Sequence, residues 1–221
     1  MARDLKLPLA GCLVCAAGLG LLAVFALSIE AGRHLDMRLF FELRDPHPEG
    51  GALANAIAAL GNPAPMLAML VVAVGIALLR GRQREALAAV LVVAGANVTT
   101  QLVKVLLAHP RVKVAIGGDP FEPNTFPSGH TTAIASAAIA YAFVVPAGWR
   151  SLALILGAAL TLALGWAVVT IGWHYPSDVL GGILVAAGWG FAVLALGRAI
   201  RPRGAPRRTD QVSSPVAISV K

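Results

Sequence analysis

The sequence predicts an all-α polytopic membrane protein whose transmembrane helices form a bundle. Two observations lead to this fold class. The 221 residues are 57% hydrophobic and only 13% charged, and their mean hydropathy is +0.76, which is unusual for a soluble domain. The apolar residues are also gathered in long runs, and one membrane-spanning helix needs a run of about 20 apolar residues.

Six apolar runs are expected to form six transmembrane helices. The second run is preceded by "LGNPAP", whose prolines should end one helical piece and start the next. The six runs cover residues 7–29, 64–79, 85–107, 130–145, 151–172 and 179–196.

A short interfacial helix is expected between the first and second runs. In "GRHLDMRLFFELRDPHPEGG", Leu35, Leu39 and Leu43 recur at four-residue spacing. Because residues four apart share one helical face, this pattern favours an amphipathic helix that lies along the membrane surface.

Residues 1–199 are expected to form one six-helix membrane domain, since the sequence shows no repeat and no second domain. Residues 200–221 are basic and rich in Pro and Ser, which is typical of a disordered segment. We expect them to form a disordered cytoplasmic tail. The two cysteines, Cys12 and Cys15, are too few for a disulfide scaffold.

The basic residues indicate the orientation in the membrane. If both termini are cytoplasmic, twelve of the 18 basic residues lie in inside segments, as the positive-inside rule requires. The excess of Arg over Lys and the abundant Ala suggest a bacterial genome, so the expected location is the inner membrane. The net charge of +7 follows from this topology, and nucleic-acid binding is a poor explanation because the basic residues flank membrane spans.

The third run carries a polar face. Asn97, Gln101 and Lys104 fall at positions i, i+4 and i+7, and polar side chains in a membrane span normally face the bundle interior or a wet cavity. Pro110 ends the helix and Arg111 follows it. Alternatively, Lys104 snorkels to the headgroups and Arg111 is an ordinary loop cation.

The fourth run begins at "NTFPSGHTTA". Pro127 suits the first turn of a helix, so the amides of Ser128, Gly129 and His130 should be free at the helix N-terminus. Such an end binds anions, because unpaired N–H groups and the helix dipole both favour negative charge. The alternative is a simple capped helix start with a surface histidine.

The sixth run begins at "TIGWHYPSDVLGG". Asp178 falls in the first turn of the helix and His174 lies just before it. A carboxylate near an imidazole can fix the tautomer and keep the other ring nitrogen available as a nucleophile. The alternative is a hydrogen-bonded interfacial pair, with Trp173 and Tyr175 as aromatic anchors at the membrane surface.

Together these segments predict a phosphate site with an acid and a nucleophile on one membrane face. Their order and spacing resemble the type-2 phosphatidic acid phosphatase superfamily, the integral-membrane lipid phosphate phosphatases. The first motif of that family is Lys, six residues, then Arg-Pro. Lys104 and Arg111 have that spacing, and Val112 stands in place of the proline. The second motif, Pro-Ser-Gly-His, is intact at residues 127–130.

The third family motif is Ser-Arg, five residues, His, three residues, Asp. His174 and Asp178 match it, but Ala167 and Val168 occupy the Ser-Arg positions. In the family that arginine is a phosphate clamp, and its loss can cost several kcal/mol of transition-state stabilisation. Three explanations stay open: the remaining cations, with Lys113 among them, suffice; the substrate presents its phosphate differently; or activity is weak.

The resemblance implies a mechanism for a lipid phosphatase that uses no metal and no cofactor. His174 attacks phosphorus and forms a phosphohistidine, while Asp178 orients His174. His130 protonates the leaving oxygen and then activates water. The phosphoryl oxygens are held by Lys104, Arg111, Ser128 and Gly129. The partners are the bilayer and a membrane lipid substrate, such as a polyprenyl diphosphate or phosphatidic acid, at an active site that faces the extracytoplasmic side.

Three other functions are weighed against this one. The first is a catalytically impaired membrane protein that binds a lipid phosphate without hydrolysing it, because Ala167 and Val168 replace the Ser-Arg pair. The second is a zinc hydrolase with two histidines and one aspartate as ligands, which is disfavoured because two cations would repel the metal and no His-Glu-x-x-His helix is present. The third is a structural or transport protein, which would make the ordered motifs coincidental.

Overall fold

The computed structural model of the protein describes residues 2–45, 51–107 and 125–200, and within these ranges it is helical, with no strand. The all-α class is therefore confirmed. A π-helical segment, Val24–Ser28, extends the first helix, and a 3-10 turn, Ala147–Trp149, precedes the seventh. The α-helices are α1 (Ala2–Ala23), α2 (Glu30–Leu43), α3 (Ala52–Ala59), α4 (Pro63–Leu79), α5 (Gln83–Leu106), α6 (Gly129–Val144), α7 (Arg150–Thr170) and α8 (Pro176–Ala199).

Each of the six apolar runs is a helix in the structure, with ends that differ from the expected ones by a few residues. The break at "LGNPAP" is also confirmed. α3 and α4 meet there at a bend of 50°, and Pro63 is the first residue of α4. Proline is favoured at this position because the first helical amides have no partner within the helix.

The described residues contain four helices that are long and apolar enough to cross a membrane, or five if α3 and α4 form one broken span. This supports an integral membrane protein. α6 has only 16 residues, which span about 24 Å, less than the hydrocarbon thickness of about 30 Å. The count of six spans therefore stays a prediction.

The helix expected between the first two runs is α2, and its two faces have different surroundings. Leu35, Leu39 and Leu43 lie on the exposed face. A neighbouring face, about 100° around the helix, turns toward the bundle, where Phe40 is fully buried and Asp36 is 7% exposed. The leucine face points away from the protein, and its location at the membrane interface stays a prediction.

The two connections expected on one membrane face do meet at the same end of the bundle. The amide of Ser128, before α6, donates to the carbonyl of Asp178, in the first turn of α8, at 2.9 Å. At the opposite end of α6, the guanidinium of Arg82 donates to the carbonyls of Phe143 and Val144. α6 therefore runs from the end that carries the predicted site to the end where α5 begins.

Some predictions fall on residues outside the described ranges. Arg111 and Lys113 lie in residues 108–124, and almost all of the expected tail lies in residues 201–221. The domain boundary at residues 199 and 200 stays a prediction.

Candidate active site

His174 and Asp178 form a buried pair at the start of α8. The Nδ1 atom of His174 lies 3.4 Å from Oδ2 of Asp178, and the two residues are 6% and 0% exposed. The same Oδ2 accepts a hydrogen bond from the amide of Tyr175 at 2.9 Å. Because a carboxylate only accepts, Nδ1 of a neutral His174 carries the hydrogen and Nε2 keeps its lone pair. This arrangement leaves one ring nitrogen able to act as a nucleophile.

The loop that carries His174 is closed by the end of α7. The carbonyl of Val168 accepts hydrogen bonds from the amides of Trp173 and His174, at 2.9 and 3.1 Å. The chain reverses at Gly172, whose φ of +82° is in the left-handed region that favours glycine. The C-terminal turn of α7 therefore holds the backbone of His174.

Ser128 caps α6 and its backbone amide is not free, which corrects one expectation from the sequence. Its hydroxyl oxygen accepts from the amide of Thr131 at 3.3 Å and from the hydroxyl of Thr131 at 3.1 Å. Its amide already donates to Asp178, and the residue is fully buried. Among the described residues, no acceptor is found for the next two amides of this turn, those of Gly129 and His130. These two amides are the ones that an anion at this end of α6 could accept from, and anion binding here stays a prediction.

His130 lies beside His174, with the ring centroids 6.0 Å apart, and beside Trp173 at 5.2 Å. Its Nε2 lies 3.1 Å from Oδ1 of Asn62, at the break between α3 and α4. Gly61 allows this approach, since a Cβ there would lie 2.8 Å from Cβ of His130. The sequence identified this break only by its prolines, so the contact of Asn62 with the site was missed.

The sequence predicted that the polar face of α5 turns to the bundle interior or to a wet cavity. In the structure this face lies near α6, and Gln101 is exposed. The amide nitrogen of the Asn97 side chain lies 3.4 Å from the hydroxyl of Ser136. Nε2 of Gln101 lies 3.9 Å from the point that a Cβ on Gly129 would occupy. One turn further, the half-buried Lys104 is close enough to act electrostatically on His130.

The structure brings six of the seven predicted site residues to one end of the bundle, and the seventh, Arg111, lies outside the described residues. The six are Lys104, Ser128, Gly129, His130, His174 and Asp178. Within the described ranges, no group of three or more His, Cys, Asp or Glu side chains is arranged to hold a metal ion.

Asp36 belongs to this region but was missed in the sequence. Its Oδ1 accepts from the amide of Ser177 at 3.0 Å, and its Oδ2 accepts from the hydroxyl of Ser177 at 2.6 Å. Both residues are buried, and Ser177 directly precedes Asp178. The only sequence signal was an acid in α2 that lies outside the leucine face.

The two positions that lack the family Ser-Arg pair are in the apolar core. Ala167 and Val168 are fully buried in a cluster that also contains Phe40, Leu164 and Tyr175. This part of the site therefore receives no positive charge from α7.

Comparison with known proteins identifies the family. A family model described as the PAP2 superfamily matches residues 85–201, about half of the chain. The chain belongs to the PAP2 superfamily. The resemblance drawn from Lys104, the Pro-Ser-Gly-His motif, His174 and Asp178 is thus confirmed.

A solved structure shares the fold of this PAP2 protein. It is the crystal structure of the first transmembrane PAP2 type phosphatidylglycerolphosphate phosphatase from Bacillus subtilis, with a TM-score of 0.71 and 20% identity over 86% of this chain and 97% of that chain. A comparison with curated protein sequences found no match. Family and fold together support a membrane phosphatase.

Proposed function

We propose that this PAP2 protein is a metal-independent phosphatase that hydrolyses the phosphomonoester or diphosphate of a membrane lipid through a phosphohistidine. One observation carries the proposal: the buried His174–Asp178 pair lies beside the ring of His130, at the N-terminal end of α6. A nucleophile, its orienting carboxylate, an acid and an anion-binding helix end are the parts that this reaction needs.

In the first step, Nε2 of His174 attacks phosphorus as the bond from phosphorus to the lipid oxygen breaks. The departing oxygen takes that electron pair, and His130 donates a proton to it. Asp178 accepts a hydrogen bond from the Nδ1–H of His174 and stabilises the positive charge that grows on the ring. The product is a dephosphorylated lipid and a phosphorylated His174.

In the second step, His130 accepts a proton from water as the water oxygen attacks phosphorus. The P–N bond breaks, its electron pair returns to Nε2 of His174, and inorganic phosphate leaves. Phosphoryl transfer depends mostly on positioning and on stabilising charge on the phosphoryl oxygens. We assign this second task to Lys104, Arg111, the amide of Gly129 and the hydroxyl of Ser128, which still has its hydrogen to donate.

The substrate is a lipid that reaches the site from the membrane. The site lies at one end of an apolar helical bundle, so a phosphate at headgroup level can enter while its hydrocarbon tail stays in the bilayer. Candidates are polyprenyl diphosphates, phosphatidic acid, a prenyl-linked sugar phosphate and phosphatidylglycerol phosphate. The last is the substrate named for the Bacillus subtilis protein of the same fold.

The test is phosphate release by purified protein in detergent, measured with several lipid phosphates and diphosphates in the presence of EDTA. Release should persist in EDTA, and His174→Ala should lower it by about 10³-fold or more, as expected for loss of a nucleophile. His34→Ala is the matched control. His34 lies on α2 with its side chain 69% exposed, and it pairs with the exposed Glu30 at 3.5 Å, so its loss should leave the rate unchanged.

Two results would contradict the proposal. Release that EDTA abolishes would indicate a metal-dependent reaction. No release from any lipid by folded protein would favour the alternative of a protein that binds lipid phosphate without hydrolysing it. The phosphohistidine itself is tested by rapid quenching of the unaltered protein with labelled substrate, without acid. A phosphoprotein that is stable in base and labile in acid should appear, and His174→Ala should not form it.

A further inference from the structure

One face of α2 lies along the segment that carries the candidate nucleophile. Asp36, Phe40 and Arg44 recur at four-residue spacing, so they share this face. Asp36 binds Ser177 through both carboxylate oxygens. The ring of Phe40 packs on that of Tyr175, with centroids 4.7 Å apart. Successive turns of α2 therefore contact successive positions of the loop and of the first turn of α8.

Arg44 continues this series of contacts to the start of the loop. The point that a Cβ on Gly172 would occupy lies 3.5 Å from Nε of Arg44, 3.8 Å from its Cδ and 3.9 Å from Cζ of Phe40. The backbone is held at the same place, because the amide of Asp45 donates to the carbonyl of Thr170 at 2.9 Å. The arginine side chain thus covers a glycine two residues before the candidate nucleophile.

Arg44 contacts the loop beside which the site lacks the arginine of the family motif. In the family motif an arginine stands at the residue occupied here by Val168, which is fully buried in apolar surroundings. The carbonyl of Val168 accepts a hydrogen bond from the amide of His174. Val168 and Arg44 therefore both contact the loop that carries His174. Arg44 approaches this loop from the α2 side, and Val168 supports it from the α7 side.

The donors of Arg44 are available. The residue is half-buried, and among the described residues its side chain makes no ion pair and no hydrogen bond. A guanidinium presents five N–H donors in a planar fork that matches two phosphoryl oxygens at once. A half-buried arginine with this geometry is suited to bind an anion that is not part of the chain.

We propose that Arg44 binds a phosphoryl oxygen of the substrate and so supplies, from α2, the positive charge that the third motif lacks in this chain. This rests on the proposed function, because it assumes that the phosphate is bound at His174. It replaces the three explanations left open by the sequence with a fourth, in which the lost arginine is substituted by one from another helix.

The test compares Arg44→Ala with Arg38→Ala, which removes an exposed arginine from the same helix. Arg44→Ala should lower kcat/KM for the lipid phosphate by about 100-fold, as expected for loss of one charged donor to a transition state. Arg44→Lys keeps the charge but loses the fork, so it should recover about tenfold of that loss. Arg38→Ala should stay within about twofold of the unaltered protein, since an exposed charge is screened.

A parallel assay of His174→Ala separates this proposal from the proposed function. If the unaltered protein hydrolyses the lipid and His174→Ala does not, the proposed function holds. Equal activities of Arg44→Ala and Arg38→Ala would then overturn the role of Arg44 alone.

If no lipid phosphate is hydrolysed, inorganic phosphate becomes the probe, and thermal unfolding in detergent is measured with and without it. Stabilisation by phosphate that Arg44→Ala loses and Arg38→Ala keeps would support binding at Arg44. The same response in all three proteins, or no response in any, would overturn it.

Discussion

The carboxylate of Asp36 holds the first turn of α8 from a helix 141 positions earlier in the sequence. It accepts one hydrogen bond from the backbone and one from the side chain of Ser177, and both residues are buried. A negative charge is also stabilised at a helix N-terminus by the helix dipole. Because Asp36 binds the residue directly before Asp178, we assign it a positioning role for Asp178.

We expect Asp36→Ala to lower kcat by about 10-fold or more with little change in KM, because the orientation of Asp178 is lost while the phosphate-binding groups remain. Loss of the acceptors should also reduce the free energy of unfolding by about 1–3 kcal/mol, since two buried donors lose their partner. Both are measured by steady-state phosphate release and by thermal unfolding in detergent.

Asp36→Asn is the conservative variant, and it should recover most of the rate. Its amide oxygen can still accept from the amide of Ser177, and its NH₂ group can donate to the serine hydroxyl. Glu42→Ala removes an exposed acid from the same helix and should match the unaltered protein. Equal rates for Asp36→Ala and Glu42→Ala would rule out the positioning role.

At the scale of elements, α8 packs directly on the turn that starts α6. A Cβ on Gly181 would lie 2.9 Å from the ring of Phe126. A Cβ on Gly182 would lie 2.8 Å from the carbonyl oxygen of Ser128 and 3.1 Å from the amide of Thr132. These two glycines of "DVLGG" therefore let the two parts of the site approach each other, a role that the sequence pattern alone did not indicate.

Gly182→Ala should destabilise the protein by about 1–3 kcal/mol, the usual range for overpacking. It should also lower kcat by about 10-fold or more, because the shift moves His130 away from His174. Gly197→Ala is the matched control in the same helix, where a Cβ would meet nothing within 4 Å. It should be neutral or stabilising by up to about 1 kcal/mol. Unfolding and phosphate release are compared for the two variants, and equal behaviour would contradict the proposed contact.

At the scale of the whole molecule, the bundle separates the candidate site from the end that is expected to face the cytoplasm. His130, His174 and Asp178 lie at one end of the bundle. Arg82, near the start of α5, lies at the other, where it pairs with Glu85 at 2.9 Å and binds the last carbonyls of α6. The excess of basic residues at this second end favours a cytoplasmic location for it.

This orientation is tested by labelling single cysteines in a chain that carries Cys12→Ala and Cys15→Ala. A membrane-impermeant maleimide should label Glu42→Cys in intact cells and Arg84→Cys only after permeabilisation. Both positions are exposed, so access to the reagent depends on the side of the membrane. Labelling in the reverse pattern would show that the candidate site faces the cytoplasm.

The sequence alone determined which segments are helical and placed their ends to within a few residues, because these depend on local physical chemistry. Long apolar runs favour membrane helices wherever they occur. Pro63 starts α4 after the break that was expected at "LGNPAP". Proline, serine and aspartate near the starts of α6 and α8 also act within one helical turn. The spacing of His174 and Asp178 placed both on one turn, so their pairing was also predictable.

Only the tertiary structure decided what surrounds that pair. Asp36, Asn62 and Arg44 come from helices and breaks far away in sequence, and no local pattern marks them as neighbours of the site. The amide of Ser128 was expected to be free and instead donates to the carbonyl of Asp178. The physical reason is that such contacts depend on which helical faces pack together, and many arrangements of the same apolar runs satisfy hydropathy equally well.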